Sequence, residues 1–203
     1  MKSILLDDQA ITPSKIICIG RNYVGHIEEL NNEVPEEPVI FLKPNSAISD
    51  EVRAGTDTPV HYEGELCFIV KGGQLAAVGF GLDLTKREVQ SRLKAKGLPW
   101  ERAKCLDGSA VFSEFVSFDG ELSDLSMELS INGEVIQQAG YELMMNKPEE
   151  ILKEVSEFMS VEDGDVIMTG TPKGVGVLRL GDEFIGNIYC GSERLINQVW
   201  AVV

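Results

Sequence analysis

MELSINGEVIQQ, residues 127–138, is the stretch on which the fold turns. Asn132-Gly133 at its centre is the strongest two-residue signal for a β-hairpin, flanked by strand-like runs at 127–131 and 134–138. A hairpin pairs consecutive strands antiparallel with no helix between them, which a uniformly alternating parallel βαβ chain does not allow. Downstream, Pro148 to Met159 reads as a helix, with Ile151, Leu152, Val155, Phe158 and Met159 at helical spacing. Residues 165–168 and 183–189 then read as strands around a Gly-rich segment. Upstream, KIICIG (15–20) is a buried-strand signal, and RNYVGHIEEL (21–30) is a helical turn or two weakened by Gly25. NNEVPEEP (31–38) reads as a loop, VIFL (39–42) and YEGELCFIV (62–70) as strands, and Gly72-Gly73 as a turn. TKREVQSRLKAK (85–96) reads as a helix with Thr85 as N-cap, Glu88 completing a capping box and Gly97 as the stop. Strands outnumber helices without alternating with them, so the class is α+β, in one domain over residues 1–203.

Composition narrows the function. The 203 residues carry 18 Lys and Arg against 33 Asp and Glu, a formal charge of −15. So acidic a surface repels phosphate backbones and anionic membranes, which argues against a nucleic-acid or membrane partner. A small anionic substrate would need local positive charge to overcome that field. No stretch approaches the roughly 20 apolar residues of a membrane span. The N-terminus MKSILLDDQAITPSK turns acidic too early for a secretory leader, so a cytoplasmic protein is expected. Cys18, Cys67, Cys105 and Cys190 lack CxxC spacing and suggest neither a zinc cage nor a disulfide framework.

Three carboxylates stand out. Glu63 and Glu65 are spaced i, i+2 in a strand and point to one face. Asp83 precedes the 85–96 helix. Like charges on one face repel unless a proton or cation lies between them, and a hard divalent cation takes oxygen ligands. His26 and Glu29 share a face if 21–30 is helical, and a carboxylate beside an imidazole fixes its tautomer and raises its basicity. Read on spacing alone, the ExE pair is also what a solvated strand face looks like, and His26 what a surface histidine looks like. His61 reads as a polar flank. Arg21, Lys104 and Lys173 are candidates to hold an anion. MTGTPKGVG (168–176) lacks Walker spacing, Gly79-Phe80-Gly81 lacks the dinucleotide fingerprint, and there is no GxSxG elbow. The segment 23–38, which joins Gly25 to an acidic run, is expected to act as a lid with few apolar anchors.

These pieces in order resemble the fumarylacetoacetate hydrolase superfamily, particularly its short acylpyruvase-like members. The matching segments are Gly20-Arg21-Asn22-Tyr23 with His26 and Glu29, Phe41-Leu42-Lys43-Pro44, Glu63-Gly64-Glu65-Leu66, and Asp83-Leu84-Thr85 with Arg87 to Gln90. Gly97 to Trp100 with Lys104, Asn132-Gly133-Glu134 with Gln137, and Thr169 to Gly176 complete the series. After Lys104 the chain departs from the pattern, with Leu106 and Val111 where the family has Phe and Pro.

The resemblance implies a mixed β-sheet barrel-like roll with a few flanking helices, and commonly a homodimer. It implies Mg2+ or Mn2+ at Glu63, Glu65 and Asp83, and His26, Glu29 and Lys104 as catalytic residues. Arg21, Gln137 and Thr171 would position a small 2-oxo acid substrate. The leading expectation is a metal-dependent hydrolase that cleaves a C–C bond in acylpyruvates or related 2,4-dioxo acids to pyruvate and a carboxylic acid. The alternative is tautomerisation, isomerisation or decarboxylation of a 2-oxo diacid such as oxaloacetate. A non-catalytic binder on the same fold would have no need of a base and its orienter.

Overall fold

The computed structural model describes every residue except Asn31 and Thr56, so the first residue of the expected 31–38 loop lies outside the described residues. The elements in chain order are β1 (Ile4–Leu6), β2 (Gln9–Ile11), β3 (Lys15–Gly20), α1 (Val24–Glu29), β4 (Val39–Pro44), β5 (Ile48–Ser49), β6 (His61–Tyr62) and β7 (Gly64–Lys71). They continue with β8 (Gln74–Asp83), α2 (Arg87–Ala95), α3 (Glu101–Lys104), β9 (Ala110–Phe112), β10 (Leu125–Ile131) and β11 (Glu134–Gly140). The last are α4 (Pro148–Phe158), β12 (Val166–Met168), β13 (Gly176–Val177), β14 (Glu183–Cys190) and β15 (Glu193–Ala201).

The expected hairpin is β10–β11, with Asn132 and Gly133 both at positive φ (51° and 83°), as its two-residue turn requires. It extends to the four-stranded sheet β11-β10-β14-β15. The larger sheet runs β4-β3-β12-β7-β8-β9-β5 and is mixed: β3–β12 and β5–β9 are parallel, the other pairs antiparallel. Its two edge strands, β4 and β5, are joined by one 3₁₀ turn, Asn45–Ala47. So few residues span only about 10 Å, so the sheet must curl until its edges nearly meet. The expected α+β roll is therefore observed.

Alternation of side chains gives the curled sheet two apolar faces. Leu66, Phe68, Phe80 and Leu82 point outward onto Leu125, Met127, Leu129, Phe184 and Trp200 of the four-stranded sheet. Beside it α4 lays Ile151, Leu152 and Val155 on Ile17, Ile19, Val70 and Ile167. Each such side chain contributes roughly 1.5–3 kcal/mol on burial. Inside the roll Ile16, Cys18, Cys67, Ile69, Ala77 and Met168 form a second core. Glu65 shares the face of Cys67, and Asp83 that of Ala77, so the carboxylates lie at one open end of an otherwise apolar roll.

Several boundaries differ from expectation. The 21–30 helix begins only at Val24, because Arg21 sits at φ 59° and cannot start a right-handed turn. The 62–70 strand is interrupted at Glu63: β6 pairs with β13, and β7 with β8 and β12. Thr85 is not the N-cap of α2. That position is Lys86, and the Thr85 hydroxyl is turned inward, donating to the Asp83 carbonyl and accepting from Lys104 Nζ. Phe158, counted in the apolar stripe of α4, is exposed at the helix end. Of the cysteines, Cys18 and Cys67 are buried, Cys105 and Cys190 half-buried, and all four are free.

Asp165 fastens the start of β3 to the start of β12. One carboxylate oxygen accepts from Ser14 N (3.0 Å), Ser14 Oγ (2.7 Å) and Lys15 N (3.1 Å). The other accepts from Glu162 N (2.9 Å) and pairs with the Lys15 ammonium. Burial opposes its charge, but the Lys15, Ser14 and Glu162 donors outweigh burial and lower its pKa. Asp165→Ala leaves these donors unpaired and is expected to cost about 3–5 kcal/mol in denaturant unfolding at pH 7. A carboxylate with a lowered folded-state pKa stabilises above its unfolded value and loses that contribution as pH falls through the folded one. The gap between wild type and variant should therefore close as pH drops below about 4; a gap independent of pH would rule out the charged carboxylate as its source.

Candidate active site

The site is built at the open end of the roll. Glu63 (5% exposed), Glu65 (1%) and Asp83 (1%) are all buried, so the reading of a solvated strand face does not hold. Their oxygens converge, with one ligand atom from each within 4.8 Å of the others. Adjacent strands bring them together: Asp83 N donates to the Glu63 carbonyl (2.9 Å), and β7 and β8 run in register from Gly64 opposite Leu82.

Cations surround the cluster. Lys104 Nζ donates to Glu63 Oε2 (2.9 Å), Asp83 Oδ2 (2.5 Å) and Thr85 Oγ1 (2.7 Å). Burial would lower the Lys104 pKa, but Asp83 and Glu63 reverse that and hold it above its ordinary value. Arg87 pairs with Glu63, and Lys43, fully buried, lies 2.8 Å from Asp83 Oδ1. Glu63 is held charged: burial works against it, and Lys104 and Arg87 bring its pKa below the usual carboxylate range. Glu65 is the opposite case. Burial, then the charges of Asp83 and Glu63, push it well up, and its partner is the Gly170 N–H (2.7 Å).

This arrangement fits a divalent cation. All three candidate ligands are hard oxygen donors, as Mg2+ or Mn2+ prefer. Asp83 Oδ1 is buried and accepts no hydrogen bond, since its approach to Lys43 is ionic without the directionality of one. Burial and the neighbouring carboxylates disfavour the ionised form of Glu65, which a further positive neighbour would favour. A cation between the three satisfies both demands.

His26 lines the same pocket as Glu63, Asp83, Lys104, Arg21 and Thr171. α1 places it there by burying Ile27, with Tyr23 buried just ahead of the helix, so this segment has more apolar anchoring than its sequence suggests. His26 Nδ1 meets Glu29 Oε2 at 3.2 Å, and Glu29 Oε1 accepts the Gly174 N–H at 3.0 Å. One carboxylate thus orients the imidazole and ties α1 to the Gly-rich loop. With Nδ1–H directed at Glu29, Nε2 is left to accept a proton. Burial lowers the His26 pKa despite Glu63 and Glu29, which keeps the ring neutral and able to act as a base.

Gln137 is not in the pocket. Its Oε1 accepts from Gly64 N, and its Nε2 donates to Thr171 Oγ1 and the Pro172 carbonyl, each at 2.9 Å. It holds the Gly-rich loop against the ExE strand, while Thr171 itself faces the pocket. Lys173 belongs to the same loop outside the pocket lining. His61 is half-buried in β6 and exchanges backbone hydrogen bonds with Thr85.

The sequence reading did not assign Lys43, Arg87, Gln90, Lys94 or Asn22. Arg87, Gln90 and Lys94 line the pocket from α2, and their i, i+3, i+7 spacing was the available signal. Asn22 is fully buried, donating to the carbonyls of Thr169 (2.8 Å) and Asn146 (2.9 Å). It fixes the turn on which Arg21 sits.

Known proteins share this frame. The fumarylacetoacetate (FAA) hydrolase C-terminal family matches residues 15–199. The oxaloacetate tautomerase YcgM of Escherichia coli is 39% identical over 189 residues, covering 84% of this chain and 86% of that protein. The mitochondrial oxaloacetate tautomerase oaa1 of Schizosaccharomyces pombe is 37% identical, covering 90% and 91%. The fumarylpyruvate hydrolase of Pseudomonas aeruginosa, solved with Mn2+ and pyruvate, superposes with a TM-score of 0.89 at 27% identity, over 100% of this chain and 95% of that one.

Proposed function

This chain belongs to the fumarylacetoacetate hydrolase family, and we propose that it is a metal-dependent enzyme that interconverts the keto and enol forms of a 2-oxo diacid, oxaloacetate foremost. The observation that carries the reading is the pairing of a neutral, carboxylate-oriented His26 with a charged Lys104 in one pocket beside three convergent carboxylates. Those parts suit removal of a proton from carbon next to a carbonyl. The choice of oxaloacetate is supported by the tautomerase relatives, at 37% identity or more over most of this chain.

Glu63, Glu65 and Asp83 would hold the Mg2+ or Mn2+, which when bound supplies a Lewis acid for the 2-oxo acid end. His26 Nε2 takes the proton from C3. The C–H electron pair becomes the C2–C3 double bond, and the carbonyl pair moves onto the C2 oxygen. Lys104 holds that developing negative charge, the task of a preorganised cation. Return of the proton to the C2 oxygen gives the enol, and the reverse path gives the keto acid, so nothing is consumed. Arg21 and Thr171 position the substrate, and Gln137 acts through the Thr171 loop.

Hydrolysis of acylpyruvates, the leading expectation from sequence, uses the same groups with water as nucleophile. The fumarylpyruvate hydrolase neighbour supports it, but at lower identity than the tautomerases. The test is direct: the ultraviolet decay of enol-oxaloacetate and the release of pyruvate from acylpyruvates are each followed with Mg2+ and with Mn2+. Acceleration of the enol decay well beyond any acylpyruvate cleavage is expected. Efficient cleavage without enol acceleration would reverse the assignment.

A further inference from the structure

The pocket carries more positive charge than its own carboxylates use. Glu63 and Asp83 are matched by Lys43, Lys104 and Arg87, each of which pairs with one or both of them. Arg21 and Lys94 line the same pocket, and among the described residues neither forms an ion pair. The Arg21 Nε is buried without a hydrogen-bond partner, and Nη1 reaches only the Glu33 carbonyl, at 3.3 Å. Lys94 projects from the face of α2 that also carries Arg87 and Gln90. Its Nζ lies 4.8 Å from the Trp100 ring centroid, and Trp100 packs on Phe41. Burial, then the Arg21, Arg87 and Lys104 charges, lower the Lys94 pKa to about 8, the mark of an ammonium short of an anion. In a chain of net charge −15, two unmatched cations facing one pocket need a reason.

We propose that Lys94, together with Arg21, receives the second carboxylate of a dicarboxylate 2-oxo acid and thereby sets the preference for a diacid over the corresponding monoacid. The inference rests on the reading that a 2-oxo acid binds by its oxo-acid end at Glu63, Glu65 and Asp83. It adds the residues that read the other end. Arg21 supplies a guanidinium with free donors. Lys94 supplies a point charge that lies over the Trp100 ring. A carboxylate seated between them accepts charge-assisted hydrogen bonds and removes the mutual repulsion of the two cations.

The test uses two unreactive probes, malate and lactate, which share the 2-hydroxy acid end and differ by one carboxylate. Binding to the Mg2+-loaded protein is measured by titration calorimetry. Wild type should bind malate about 10- to 100-fold more tightly than lactate, the span of one charge-assisted carboxylate contact. Lys94→Gln should bring that ratio to within about threefold with lactate affinity unchanged, and Lys94→Arg should keep most of it. A ratio unaltered in Lys94→Gln, equal weakening of both probes, or no preference for malate in wild type would each overturn the proposal. Neither probe turns over, so a failed tautomerase assay counts against the function alone, and a malate preference that survives in Lys94→Gln counts against Lys94 alone.

Discussion

Glu65→Gln is expected to abolish tight binding of Mg2+ or Mn2+ and to lower kcat/KM for oxaloacetate tautomerisation by about 10³-fold or more, because a Lewis acid contributes several kcal/mol and each 1.4 kcal/mol is tenfold. Of the three carboxylates, Glu65 depends most on a cation. Glu63 is matched by Lys104 and Arg87, and Asp83 by Lys104 and Lys43. Glu65 has the Gly170 N–H, and burial with the charges of Asp83 and Glu63 drives its pKa well up. A carboxylate whose folded-state pKa is raised keeps its full contribution to stability only below its unfolded value and loses it as pH rises toward the folded one. At neutral pH the metal-free wild type therefore carries an electrostatic penalty that the neutral amide removes. Metal-free Glu65→Gln should melt at a higher temperature than metal-free wild type, and adding Mn2+ should raise the melting temperature of wild type but not of the variant. An unchanged response of both proteins to Mn2+ would place the metal elsewhere. Loss of activity with higher stability separates a functional carboxylate from a structural one, whose removal costs stability as well.

The same opposition of charge and burial explains what could be read from the sequence. Spacing marked Glu63, Glu65 and Asp83 as a candidate cluster but fitted a solvated strand face as well, and it was the family resemblance that gave them a cation. The β10–β11 hairpin was legible because Asn132-Gly133 is local chemistry. Strand β8 was not. Its run QLAAVGFGLD has Gly79 and Gly81 where an inward-facing strand residue belongs, and glycine normally weakens a strand. The reason is tertiary: a Cβ on Gly81 would lie 2.4 Å from Cys67 Sγ, and one on Gly79 2.6 Å from the Phe115 ring. The interior of the roll has no room for side chains there. Thr85 misled for a related reason. Its spacing to Glu88 satisfies a capping box, but the buried Lys104 ammonium needs a third acceptor and takes its hydroxyl. Lys94 and Arg87 were hidden in a charged helix that reads as solvated, and only the closure of α2 over the carboxylates gives their face a meaning. Local signals thus yield the hairpin, the helices α1, α2 and α4 and the candidate carboxylates, whereas which charges point inward is decided by elements far apart in sequence.

His26→Ala is expected to lower the rate of oxaloacetate tautomerisation by about 10²- to 10⁴-fold, the usual effect of losing a general base. It should leave Mg2+ or Mn2+ affinity intact, because His26 is not among the three converging carboxylates. The imidazole is buried, neutral and directed by Glu29 at 3.2 Å, so its loss removes a proton acceptor and not a charge. Glu29→Gln should cost less. The amide can still touch His26 and Gly174, but it no longer favours the tautomer with Nε2 free or the imidazolium formed on proton transfer. Metal-assisted decarboxylation of oxaloacetate provides the internal control. It breaks a C–C bond and needs an electron sink but no base at C3, so with Lys104 and the three carboxylates in place it should change by no more than about tenfold. Tautomerase loss with decarboxylation retained, in a protein that still binds metal, can arise only if His26 moves the C3 proton. If the two reactions fall together, His26 instead serves to close α1 over the site. If neither falls, the proton is carried by another group, and the dyad of α1 has no part in the chemistry.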